Sequence, residues 1–172
     1  MEINNQKIGQ GGVQTDLDGH APRGVRSVYL EGIKFLRIEN QPSGKPTQVS
    51  VHDDMVTNFS QAERYGSLGL IAHNYLAGRY FFQLKRGDLV HVMDGKGNAK
   101  AYQINDIRRF RALKPNDPYT LLEDLNGGEI YTAEEVFKQV YMGKPHLVLQ
   151  TCLSVGGNNE WGRYFLVANP MV

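Results

Sequence analysis

The only cysteine in the 172 residues is Cys152, and its surroundings decide whether it does chemistry. A cysteine thiolate is a nucleophile that can attack a carbonyl, and a histidine can move the protons that such a reaction requires. A lone cysteine is more often a small buried apolar residue. A single thiol excludes an intramolecular disulfide and a cysteine-rich metal site. The neighbouring sequence therefore decides between a nucleophile and a packing residue.

Three residues that could carry chemistry share one kind of position. His73 ends a short apolar run, Cys152 ends another, and Arg163 begins the last one. Strand ends at the rim of a barrel let a rigid scaffold bring side chains to one spot. Residues 154–162 are predicted as the turn between two antiparallel neighbours, which brings Cys152 and Arg163 together if both face the same side. The proximity of His73 depends wholly on the fold.

The elements that carry these residues are mostly short strands. Apolar runs bounded by Gly, Pro and Asn predict them, and residues 94–98 form a strong hairpin turn. Thr132 and Glu135 have the spacing of a capping box, which predicts a helix that ends near Tyr141. A second helix is predicted over residues 53–64, with an aspartate as its N-cap.

These elements lack an alternating strand–helix rhythm, so the predicted fold is mainly β. We expect a closed or partly open mixed barrel with short helices, one of them in the loop before the Cys152 strand. Residues 1–24 are polar and Gly-rich, and they are predicted as a flexible lead-in. Residues 25–172 are predicted as a single domain.

Composition excludes several classes of function. Nineteen basic and eighteen acidic residues give a net charge of +1, which argues against a general nucleic-acid binder. No apolar run is long enough to predict a membrane span, and no signal peptide is expected. No histidine or acidic cluster has the spacing of a metal site, so neither a metal nor a cofactor is predicted.

Two segments around the candidate residues match a known pattern. Residues 148–152 read Val-Leu-Gln-Thr-Cys, which resembles the signature Thr-Leu-x-Thr-Cys of the sortase family of cysteine transpeptidases, with Val148 in place of the first threonine. Residues 70–73, Leu-Ile-Ala-His, resemble the apolar strand that ends in Gly-His, with Ala72 where glycine is usual.

The segments between and after these motifs extend the resemblance. Residues 82–92 resemble the segment that follows the family histidine, and residues 163–168 look like the final strand, which begins with an arginine. The match covers roughly residues 68–168, although residues 113–144 are individual in sequence. The resemblance implies a sortase-like barrel that carries a single catalytic domain.

The resemblance also implies a role for each residue. Cys152 would attack the carbonyl of a sorting-motif peptide and form a thioester, and His73 would protonate the leaving amine and later deprotonate the incoming amine. Arg163 would stabilise the developing oxyanion or hold substrate carbonyls. Thr151 is expected to help build this site through its side chain or backbone. Trp161 is expected either to line or gate the groove or to act as a packing anchor.

A simple charge argument predicts that such an enzyme is slow. With ordinary pKa values of about 8.5 and 6.5, a thiol and an imidazole that titrate independently form thiolate and imidazolium together in only about 1% of molecules at pH 7. A lowered thiol pKa, from Arg163 or the local fold, would relieve this limit.

The implied partners are a peptide or protein with a sorting-type motif and an amine acceptor of the cell-wall or pilin type. The implied location is the cell surface, with the membrane reached only through an anchor that this chain does not include. A cysteine hydrolase that uses water and a non-catalytic peptide-binding module on the same barrel remain open alternatives. Specificity is expected to lie largely in residues 113–144, and the sequence names neither the sorting motif nor the acceptor.

Overall fold

The computed structural model, which describes residues 24–172, contains ten strands and three short helices. The predicted lead-in over residues 1–24 thus lies, apart from its last glycine, outside the described residues. The strands are β1 Val25–Leu30, β2 Lys34–Asn40, β3 Met55–Asn58, β4 Leu68–Ile71, β5 Leu89–Asp94, β6 Ala99–Ala112, β7 Leu122–Asp124, β8 Ile130–Tyr131, β9 Leu147–Val155 and β10 Asn158–Pro170. The helices are α1 Ser60–Glu63, a 3₁₀ helix Ala77–Gln83, and α2 Ala133–Tyr141. None of these helices, in the described part of the chain, has the length and apolar character to cross a membrane.

Eight of the strands close into a barrel. They follow the order β10-β9-β4-β3-β2-β1-β5-β6, and β6 pairs with β10 to complete the circle. β7 and β8 extend the sheet from β6 outside this circle. The β2–β3 and β4–β9 pairs are parallel and the remaining pairs are antiparallel, so the barrel is mixed. The predicted fold class, a mainly β mixed barrel with short helices, is confirmed, and the barrel is closed.

The barrel strands separate two apolar cores because successive residues of a strand point to opposite faces. Leu149 and Leu166 point into the barrel, while their neighbours Val148 and Phe165 point outward. The outward residues pack under α2, which contributes Val136, Val140 and Tyr141. The outer face of β9 and β10 is therefore covered at one end by the segment between β6 and β9.

Helix α2 begins and ends as its sequence predicts. The Thr132 hydroxyl accepts a hydrogen bond from the Glu135 amide at 3.2 Å, and the Glu135 carboxylate accepts one from the Thr132 amide at 2.7 Å. These reciprocal bonds satisfy backbone donors that the first helical turn leaves free. The predicted capping box and the predicted end at Tyr141 are both confirmed.

The predicted helix over residues 53–64 is wrong. Its first half forms strand β3, and only Ser60–Glu63 is helical, with Phe59 at the N-cap. β3 lies between β2 and β4 and is buried on both faces, so its apolar positions carry no period-2 signal. Asp53 does not cap a helix; it forms an ion pair with Arg79 at 3.6 Å.

The predicted turn over residues 154–162 is also wrong, since most of it belongs to strands. β9 and β10 continue to a tight turn at Gly156 and Gly157, which both have positive φ (58° and 80°) that glycine adopts readily. Cys152 and Arg163 accordingly lie inside strands and not at their ends. The run of Gly and Asn concealed the strands because these residues are poor strand formers.

Candidate active site

Cys152 and Arg163 are direct partners across the β9–β10 ladder. Directly opposite residues of an antiparallel pair project to the same face, so their side chains meet. The Arg163 guanidinium Nη1 lies 4.0 Å from the Cys152 sulfur. The prediction that the two side chains lie near one another is therefore confirmed by the strand register.

His73 reaches the same region from the other side of β9. β4 runs parallel to β9, with Ile71 opposite Gln150, and the Ala72 amide still donates to the Gln150 carbonyl at 3.1 Å. The Thr151 hydroxyl donates to the Ala72 carbonyl at 2.7 Å, so the residues directly before Cys152 and His73 are hydrogen-bonded to each other. β9, which carries Cys152, thus pairs with β4 on one side and with β10, which carries Arg163, on the other. We refer to residues 73–76, which follow β4, as the histidine segment.

Strand alternation puts Cys152 and Arg163 on the outer face of the barrel. Their sequence neighbours Leu153 and Tyr164 pack in or against the inner core, and successive residues of a strand point to opposite faces. His73 lies two residues beyond the end of β4, directly after Ala72, which packs in the same inner core. No hydrogen bond joins the His73 imidazole to the Cys152 sulfur in the described structure.

Burial and the neighbouring charged groups shift the pKa of the Cys152 thiol in opposite directions. Burial raises the pKa of the Cys152 thiol, while the positive charge of Arg163 and its hydrogen bond lower it. The Glu160 carboxylate raises the thiol pKa further. Because burial is the largest of these effects, the neutral thiol is the favoured resting form.

His73 is partly buried and stacks on Tyr75, with ring centroids 5.3 Å apart and the planes inclined by 18°. Burial lowers the pKa of the imidazole, and the Glu160 carboxylate acts in the opposite direction. The same carboxylate therefore raises the pKa of both His73 and Cys152. Glu160 lay within the segment predicted as a turn, so no sequence pattern drew attention to it.

The guanidinium of Arg163 is held in place by three backbone carbonyls. Nη1 donates to Glu160 at 2.9 Å and to Gly162 at 3.2 Å, and Nη2 donates to Pro115 at 3.2 Å. Pro115 belongs to the loop between β6 and β7, which thereby reaches the site. A fixed, permanently charged donor beside the sulfur suits the stabilisation of negative charge on a carbonyl oxygen.

Thr151 and Trp161 occupy different kinds of position. Thr151 is buried, and its hydroxyl donates to the Ala72 carbonyl at 2.7 Å, so it ties the end of β4 to β9. Trp161 is partly buried on β10, between Glu160 and Gly162. The roles predicted for both residues in substrate or oxyanion binding stay predictions.

A cavity of about 340 Å³ lies beside the histidine segment. It opens next to the His73–Tyr75 stack and the far end of β9, and it is lined by Asn74, Tyr75, Phe82, Leu153, Ser154 and Asn159. Of the remaining histidines in residues 24–172, His91 pairs with Glu31 at 2.6 Å, the His146 ring lies 2.7 Å from the Val140 carbonyl, and His52 is exposed. Among residues 24–172, no three or more His, Cys, Asp or Glu side chains form a group that could hold a metal ion.

The solved structures that this fold resembles are sortases of types A, C and D. Sortase C-1 from Actinomyces oris matches with a TM-score of 0.56 and 18% identity, over 86% of this chain and 71% of that one. Sortase A of Listeria monocytogenes matches with a TM-score of 0.56 and 12% identity, over 87% and 88%. The sortase D5 transpeptidase of Clostridium perfringens matches with a TM-score of 0.55 and 16% identity, over 87% and 79%.

The barrel is therefore a sortase-like fold. No family model matches the sequence, and no curated protein matches it. At identities this low, the structural likeness defines the fold and leaves the reaction to be argued from the site.

Proposed function

We propose that this chain is a sortase-like cysteine transpeptidase. It would cleave a peptide bond in a sorting-type motif through a thioester on Cys152 and transfer the acyl group to an amine of the cell-wall or pilin type. The observation that carries the proposal is the position of Cys152 on β9 of a sortase-like barrel, opposite Arg163 on β10. On its other side, β9 pairs with β4, the strand that leads into His73. The proposal places the protein at the cell surface, where such acceptors are found.

In the first half-reaction the Cys152 thiolate attacks the carbonyl carbon of the scissile bond and a C–S bond forms. Negative charge moves to the carbonyl oxygen, where the Arg163 guanidinium donates hydrogen bonds to it. The C–N bond then breaks, and the His73 imidazolium gives its proton to the leaving amine. The products are a thioester on Cys152, a neutral His73 and a free amine.

In the second half-reaction an amine attacks the thioester carbon. His73 takes the proton that the amine loses, the new C–N bond forms, and the C–S bond breaks to release the thiolate. Thiolate and imidazolium are both regenerated, so the cycle closes without an external proton. Water in place of the amine would give a carboxylate and make the protein a hydrolase.

The test is a reaction with a peptide library in the presence of hydroxylamine as the amine probe, read by mass spectrometry. Transpeptidation gives a peptide hydroxamate and a transient acyl adduct on Cys152. Replacing Cys152, His73 or Arg163 by alanine should lower the rate at least 100-fold. The matched controls are His91→Ala and Arg86→Ala, which remove the same side chains from ion pairs elsewhere on the barrel.

Two outcomes would contradict the proposal. Formation of carboxylate alone, even with hydroxylamine present, would identify a hydrolase. An absence of any covalent species on Cys152, together with peptide binding that Cys152→Ala leaves intact, would identify a non-catalytic peptide-binding module. Alkylation of the native thiol separates these cases further, because a nucleophile must meet its substrate while a structural cysteine resists reagents.

A further inference from the structure

The β9–β10 hairpin contains a bulge close to the candidate site. Asn158 pairs with Val155 and Gly162 pairs with Leu153, so residues 159–161 of β10 face a single residue of β9. We refer to residues 159–161 as the hairpin bulge. A bulge interrupts the ladder and leaves backbone groups without strand partners. Those groups are then available to side chains from other elements.

Two successive carbonyls of the hairpin bulge bind side chains from the two flanks of the site. The Asn159 carbonyl accepts a hydrogen bond from Asn74 Nδ2 at 3.0 Å, and the Glu160 carbonyl accepts one from Arg163 Nη1 at 2.9 Å. Since a carbonyl oxygen only accepts, Asn74 must present its amide nitrogen here. One short stretch of backbone therefore connects the residue after His73 to the arginine beside Cys152.

The histidine segment lies outside the sheet, so strand pairing does not hold it against β9. Pairing of the β4 side with β9 ends at the Ala72 amide, and the His73 carbonyl bonds only within its own region, to the amides of Leu76 and Gly78. Within residues 24–172, the Asn74–Asn159 bond is the only hydrogen bond that joins residues 73–76 to the β9–β10 hairpin. The Tyr75 ring, which stacks on His73, belongs to the same segment.

The bulge itself is held from inside the hairpin, so it is a firm attachment point. The Ser154 hydroxyl donates to the Asn159 side-chain oxygen at 3.1 Å, and the Glu160 amide donates to the Asn158 side-chain oxygen at 2.9 Å. Both bonds fix the hairpin bulge whether or not Asn74 is present. Loss of the Asn74 amide is therefore expected to release the histidine segment and to leave Cys152 and Arg163 in place.

We propose that Asn74 is a positioning residue that holds His73 against the β9–β10 hairpin, which carries Cys152, through its hydrogen bond to the Asn159 carbonyl. This inference rests on the proposed function for its catalytic consequence, since His73 must exchange protons with groups that react at the sulfur. A misplaced proton donor slows the reaction even when the nucleophile and the oxyanion donor are intact.

The experiment compares the native chain with Asn74→Ala, Asn74→Asp and Asn74→Gln in three measurements. Acyl transfer to hydroxylamine should fall about ten-fold in the Ala and Asp variants, because neither can donate to the Asn159 carbonyl. The Gln variant keeps an amide donor and should recover part of the rate. Alkylation of Cys152 by iodoacetamide should stay within about two-fold of the native rate, because it does not need His73 in position. The His73 ring resonances in NMR spectra should shift or broaden as the Tyr75-stacked segment becomes mobile.

The control variant is Asn98→Ala, which removes an asparagine side chain bonded to Asp94 in the β5–β6 turn at 2.8 Å. It should leave all three measurements unchanged. Unchanged His73 resonances in Asn74→Ala overturn the inference, whether or not the native chain transfers acyl groups. An alkylation rate that falls in parallel with transfer overturns it too, because that would show general damage to the site. If the native chain is inactive, the proposed function fails, while the NMR comparison still decides the position of His73.

Discussion

At the scale of single residues, the two reacting groups are held in their neutral forms. Burial raises the pKa of Cys152 and lowers that of His73, so both shifts disfavour the thiolate–imidazolium pair. Arg163 and Glu160 act against this in part, the first by lowering the thiol pKa and the second by raising the imidazole pKa. The reactive pair is therefore scarcer than the roughly 1% that ordinary pKa values give at pH 7.

The pH dependence of acyl transfer follows from these directions. The reactive form needs a thiolate and an imidazolium, so the rate falls below the His73 pKa and above the Cys152 pKa. Because burial lowers the first and raises the second, the acid limb should lie below about pH 6.5 and the alkaline limb above about pH 8.5. We expect a broad, low plateau of kcat/KM between them. A narrow, bell-shaped pH profile of kcat/KM within that window would show that the pKa values of His73 and Cys152 are unshifted or shifted toward the thiolate–imidazolium pair.

At the scale of elements, the 3₁₀ helix supports the backbone of the histidine segment. Gly78 donates its amide to the His73 carbonyl at 3.0 Å, and a Cβ at this position would lie 2.7 Å from that carbonyl oxygen and 2.9 Å from the Ala72 carbonyl oxygen. Real Cβ atoms do not approach backbone oxygens so closely. Glycine at this position is thus what lets the 3₁₀ helix pack against the residue that carries the imidazole.

Gly78→Ala tests this contact. Either the 3₁₀ helix or the His73 backbone must move, so we expect a loss of roughly 1–3 kcal/mol in the free energy of unfolding and a lower transfer rate. Urea denaturation and the hydroxylamine assay measure the two effects. Gly95→Ala is the matched control, because a Cβ there meets only the Arg26 side chain at an ordinary 3.5 Å. Equal stability of the two variants would argue against close packing at Gly78.

At the scale of the whole molecule, α2 and the outer face of the barrel form a second layer over β9 and β10. His146 joins the two layers, because its ring lies 2.7 Å from the Val140 carbonyl in α2 and 2.7 Å from the Lys144 carbonyl before β9. The Ser67 hydroxyl, which donates to the Tyr141 carbonyl at 2.6 Å, lies 3.1 Å from the same ring. These hydrogen bonds hold in place the segment that leads into β9, the strand that carries Cys152.

His146→Ala removes the hydrogen bonds of this ring and takes the ring partner from the buried Val140 carbonyl. An unsatisfied buried group costs on the order of 1–3 kcal/mol, so we expect a loss of roughly that size in the free energy of unfolding. Thermal melts followed by circular dichroism would show a fall in Tm of several degrees or more. The control is His52→Ala, since His52 is exposed in a loop. A fall no larger than that of the control would contradict the structural role.

Local sequence patterns determined the elements whose signals are strong at short range. The capping box of Thr132 and Glu135 predicted α2 to its last residue, and the Gly-rich turn predicted the β5–β6 hairpin. The same reasoning failed for β3, whose burial on both faces removes alternation, and for the Gly- and Asn-rich end of the β9–β10 hairpin. Local propensity describes which secondary structure a residue prefers, while pairing with neighbouring strands decides which structure it adopts.

The sequence by itself determined that Cys152 is the single thiol, and its resemblance to the sortases picked out His73 and Arg163 as partners. Only the tertiary structure decided that Cys152 and Arg163 lie opposite one another on β9 and β10. It also decided that β4, which leads into His73, pairs in parallel with β9 and so joins segments far apart in the chain. It also decided which further groups act there, Glu160 by its charge and Asn74 by its hydrogen bond. The strength of a charge or a hydrogen bond depends on distance and burial, and these are properties of the folded chain.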